Sequence, residues 1–89
     1  MPKQLPLNYA ILKLFQDGDE LDVDAVMDAL KDNYGKYHAY KSKAVEESLM
    51  SAEKNGLLEC SGFELDAQYK LHVFYHVTDY GTQMITKYI

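Results

Sequence analysis

The stretch "VEESLMSAEKNGLLECSGFELD", Val45 to Asp66, constrains this chain most, because the apolar period changes inside it. Val45, Leu49 and Ala52 recur at helical spacing, which predicts a helix from about Ser42 to Asn55. Gly56 can take the left-handed conformation that ends a helix, and Leu57 can pack back on the last turn. From there the pattern is strand-like. In "YKLHVFYHVT", Leu71, Val73, Tyr75 and Val77 alternate with Lys70, His72, Phe74 and His76, so a hairpin turning near Asp66 to Gln68 is the natural connection.

Helical spacing returns on both sides of this region. Leu7, Ile11, Leu14 and Phe15 form the stripe of a first helix that "DGD" breaks. After an extended link at Glu20 and Leu21, Asp22 is a good N-cap for a second helix burying Val23, Val26, Met27, Leu30 and Tyr34, with Gly35 as its stop. Asp24, Asp28 and Asp32 occupy its opposite face, the pattern of a solvated surface. Thr78 caps a terminal helix, "DYGTQMITKYI", whose apolar arc of Tyr80, Met84, Ile85, Tyr88 and Ile89 is wider than one core-facing stripe needs.

Eighty-nine residues, 47% of them hydrophobic, suit one globular domain with a modest core. Fourteen acids against nine lysines and no arginine leave a net charge of −5, so any anion-binding surface must be local. A lone cysteine, Cys60, suits a reducing compartment, and no apolar run approaches a membrane span, so a cytoplasmic protein that contacts no membrane is expected.

The succession helix, short link, helix, helix, hairpin, helix resembles the winged helix-turn-helix of the MarR and PadR families of bacterial regulators. "VEESLMSAEKNGLLE", Val45 to Glu59, is similar to their recognition helix running into the first wing strand, and "YHVTDYG", Tyr75 to Gly81, to the second wing strand ending at a capping threonine. The resemblance implies an α+β fold over residues 1–89, with three helices, a two-stranded wing and a C-terminal helix. It also implies a DNA-binding transcriptional regulator that reads a palindromic site as a homodimer. Two features depart from the family pattern. Roughly seven residues, "GKYHAYK", separate the second and third helices where such units commonly use three or four, and Glu59, Glu64 and Asp66 outnumber Lys70 on the wing.

Nothing marks an enzyme or a cofactor site: nucleophile elbow, phosphate loop and GxGxxG are all missing. His72 and His76 have the spacing of helical zinc ligands, but on a strand they stand roughly 13 Å apart and cannot share an ion. "DGDELD" lacks the ligand pattern of a calcium loop. The informative stretch is "YGKYHAYKSKAVEESL", where Lys36, Lys41, Lys43 and His38 gather beside the N-terminus of the third helix, a position that favours anions. Tyr37 and Tyr40 are candidate hydroxyl donors to phosphate, and Lys43, Glu47, Met50 and Lys54 project outward from that helix. These nine residues are the expected contacts to duplex DNA. Tyr9, Leu12, Ile85, Tyr88 and Ile89 form the expected dimer interface. The alternative is a winged-helix module without DNA affinity, its acidic wing and aspartate row meeting a basic protein partner.

Overall fold

A computed structural model describes residues 6–36 and 40–89. It contains α1 (Leu7–Leu14), α2 (Val23–Tyr34), α3 (Ser42–Lys54), β1 (Leu58–Leu65), β2 (Leu71–Val77) and α4 (Asp79–Tyr88). β1 and β2 pair antiparallel, and Leu21 forms an isolated bridge to Tyr75, its amide donating to the Tyr75 carbonyl at 3.0 Å and its carbonyl accepting from the Tyr75 amide at 2.9 Å. The short link between α1 and α2 is thus stitched to the middle of β2. This is a winged helix-turn-helix.

The boundaries arise from local chemistry. Gly18, at φ 87°, turns the chain out of α1. The Asp22 carboxylate accepts from the Ala25 amide at 2.8 Å, and the Thr78 hydroxyl from the Gly81 amide at 2.9 Å, satisfying donors that the first turns of α2 and α4 leave free. α3 ends in a Schellman arrangement: Gly56, at φ 79°, donates to the Glu53 carbonyl, and Leu57 donates to that of Ala52. Gly35 closes α2 differently, in the right-handed conformation, with its amide donating to the Lys31 carbonyl at 2.9 Å.

Ala10 and Ile11 from α1 and Phe15 at its C-cap, Val26, Leu30 and Tyr34 from α2, Val45, Leu49 and Ala52 from α3, and Leu58 and Tyr75 from the hairpin make one buried cluster. Leu14, Leu57 and Val73, which the sequence pattern also places in the core, are only half-buried against it. A bulge between Cys60 and Gly62 shifts the hairpin register, so Cys60 faces Tyr75 while Gly62 faces Phe74. Beyond it, Phe63 opposes Val73 and Leu65 opposes Leu71. The turn is held by Asp66, whose Oδ1 accepts from the amides of Gln68 and Lys70.

α4 folds back along the face that carries Gly81 and Ile85, both buried. A Cβ at Gly81 would lie 2.1 Å from the Leu57 carbonyl oxygen, so only glycine permits this approach. The same docking corrects one expectation. Ile85 lies one turn beyond Gly81 and is 2% exposed, so it packs inside the chain and is not available to an outer dimer patch.

Candidate nucleic-acid interface

α3 presents to solvent the face that its spacing predicts. Lys43, Glu47, Met50 and Lys54 are all exposed, while Val45, Leu49 and Ala52 point into the core. At its N-terminus, Lys41 occupies the cap position in extended conformation with no side-chain cap hydrogen bond, and the first turn contains no acid. α2 and α4 differ, each with a side-chain cap and an aspartate in the first turn. The opening amides of α3 therefore keep their positive end uncompensated, flanked by the exposed Lys41 and Lys43, which is the arrangement that attracts an anion.

The residues leading into α3 divide. Lys36 is exposed just after α2. Tyr37 and His38 lie outside the described residues. Tyr40 departs from its expected role: half-buried, it donates its hydroxyl to the Met27 carbonyl, and burial followed by the charge of Asp28 pushes its phenol pKa up. Its polar end is committed to tying the connection down on α2, so it is not a free donor to phosphate.

The hairpin carries little positive charge to offer. Its one lysine, Lys70, has Nζ 3.0 Å from Asp24 Oδ2, an exposed pair that holds the ammonium above its usual pKa. Phe63, Leu65, Tyr69 and Leu71 instead leave the distal half of the hairpin apolar, with Phe63 71% and Tyr69 85% exposed.

Sequence reasoning missed a polar junction between hairpin and α2. His72 Nδ1 lies 2.8 Å from Asp22 Oδ2, and its Nε2 lies 3.0 Å from Asp66 Oδ2. Hydrogen bonds to Asp66 and then Asp22 raise the imidazole pKa, and the bond from His72 lowers that of Asp66. No sequence signal relates Asp22 to His72; only the Leu21–Tyr75 bridge brings them side by side.

Of the expected dimer residues, Tyr9 and Tyr88 are exposed, and Leu12 and Ile89 are half-buried. Among the described residues no helix is long and apolar enough to cross a membrane.

The fold is a winged helix-turn-helix, similar to that of solved PadR-type regulators. The structure superposes on Bacillus subtilis PadR in complex with operator DNA with a TM-score of 0.75 and 23% identity, over 92% of this chain and 46% of that one. A PadR-like transcriptional regulator from Bacillus cereus matches with a TM-score of 0.69 and 17% identity, over 91% of this chain and 75% of that one. A transcriptional regulator from Clostridium thermocellum gives 0.69 and 15%, over 91% and 74%. The chain thus spans just under half the length of Bacillus subtilis PadR. No family model and no curated protein matches the sequence.

Proposed function

We propose that this chain is a DNA-binding transcriptional regulator that engages duplex DNA as a homodimer. α3 lies in the major groove, Lys36, Lys41, Lys43 and Lys54 meet phosphates, and Glu47 and Met50 face base edges. The observation that carries this reading is the free face of α3 beginning at an uncapped, lysine-flanked N-terminus. The likeness to a PadR captured on operator DNA supports it. Tyr9 and Tyr88, with Leu12 and Ile89 beside them, are the surface through which a second copy would pair two half-sites.

The absence of arginine removes bidentate guanine contacts, so affinity per subunit is modest and useful binding comes from the dimer. Selection from a pool of random duplexes tests this directly. It should return an inverted repeat, and Glu47→Gln should change the preferred bases within each half-site. A pool that remains random at low salt contradicts it.

The exposed apolar residues and acids of the hairpin favour a second reading, in which the wing serves a protein partner carrying basic residues. That reading gains if the selection returns nothing.

A further inference from the structure

The junction between α2 and β2 has the composition and spacing of a metal site. His72 Nδ1 is 2.8 Å from Asp22 Oδ2 and 3.6 Å from Asp24 Oδ2, and one ligand atom from each of these residues lies within 4.8 Å of the other two. Two donors bound to one first-row dication at about 2.1 Å, at angles from octahedral to tetrahedral, stand about 3.0–3.4 Å apart. Small side-chain movements would close the set. We propose that Asp22, Asp24 and His72 bind a divalent transition-metal ion, with zinc the best match, and thereby lock the wing to the N-terminus of α2.

Three features make this more than a gathering of acids. Asp66 holds His72 Nε2 at 3.0 Å, which turns Nδ1 toward Asp22 and Asp24. Without metal, a proton on Nδ1 spans the 2.8 Å to Asp22, and a dication bound there would take that proton's place. Zinc-bound imidazoles are oriented in the same way, by a carboxylate on the far nitrogen. Asp22 is fixed as well: its Oδ1 is occupied by the Ala25 amide while Oδ2 stays presented, and it is the one buried charged residue among those described, at 8% exposure.

Charge balance points the same way. Asp22, Asp24 and Asp66 meet the ammonium of Lys70, which is 60% exposed and free to swing out when a dication takes Asp24, and the ring of His72, whose Nδ1 proton the ion would displace. The three ligands open on a cleft of about 320 Å³ that Ser42 and Glu46 of α3 also line, leaving room for water or Glu46 to complete the coordination. One imidazole with two carboxylates and no thiolate suits zinc, manganese(II) or cobalt(II) over copper(I). Because the cleft joins α2, α3 and β2, the ion would set the angle of the wing relative to α3.

The test is calorimetric titration of zinc chloride into the full chain carrying Cys60→Ser, which removes the exposed thiol as a competing ligand. One zinc per chain is expected, with at least tenfold weaker binding in both Asp24→Asn and His72→Gln. His76→Gln, on the same strand but paired with Glu59, should bind as the parent does. Asp24→Asn leaves the Asp22 cap intact, so circular dichroism should show it folded. A parent that binds no zinc, a loss below tenfold in either ligand variant, or an equal loss in His76→Gln overturns the proposal.

Discussion

His72 of β2 and Asp22 at the cap of α2 meet at 2.8 Å, although fifty residues of chain separate them. With Asp66 on the other ring nitrogen, His72 clamps the turn of the wing to the helix that supports α3. The clamp is strongest when the imidazole is charged and both aspartates are ionised.

This predicts a pH window for stability in chelator-treated protein. His72 has its pKa raised above the ordinary 6.5, so its contribution is complete below that value and is lost as pH rises through the folded pKa. Asp66 has its pKa lowered below the ordinary 3.8, so its contribution is present above that value and is lost as pH falls through the folded pKa. The clamp is therefore intact between the two ordinary values. Urea midpoints should decline as pH rises above about 6.5 in the parent and much less in His72→Gln. Equal declines would show that the clamp adds nothing to stability.

Gly81→Ala should be disruptive, because the added carbon collides with the backbone carbonyl of Leu57, which cannot rotate away. Overpacking costs about 1–3 kcal/mol, and the upper end is expected where the obstacle is backbone. Overlaid urea melts of variant and parent would refute the close approach of α4 to the end of α3.

Leu49 is fully buried between the helices, so Leu49→Ala should cost about 2–5 kcal/mol. Met50→Ala, on the exposed face, should change stability by less than about 0.5 kcal/mol. The reverse order would invert the inward and outward faces of α3.

If Tyr9 and Tyr88 form a twofold patch, Tyr88→Glu should convert a dimer into a monomer in sedimentation equilibrium, leaving the circular dichroism spectrum unchanged. Tyr88 is 65% exposed, so a carboxylate there is tolerated by the isolated chain. A parent that is already monomeric at about 50 μM, which limits any interface to less than about 6 kcal/mol of binding, would remove the dimer.

Features determined by neighbouring residues were legible in the sequence. The Asp22 and Thr78 caps, the Gly56–Leu57 helix end and the outward face of α3 each depend on chemistry within one or two turns. What escaped depends on packing between distant elements. The wide apolar arc of α4 reads as a surplus until Gly81 docks on Leu57 and draws Ile85 inward. Tyr40 reads as a free hydroxyl until Met27 is brought beneath it, and a strand histidine reads as solitary until the Leu21 bridge delivers Asp22. Of the candidate interface, the α3 residues stand where their spacing put them, whereas the hairpin register was hidden by a bulge that no alternation pattern announces.

The most direct test of DNA engagement through the lysines around α3 is the salt dependence of duplex binding, read by fluorescence anisotropy. Each phosphate contact contributes about 0.9 to the slope of log affinity against log salt. Lys36→Gln, Lys41→Gln and Lys43→Gln combined should therefore reduce the slope by roughly three units on any duplex. A parent with no binding at low salt, or a triple variant with the parent's slope, would contradict it.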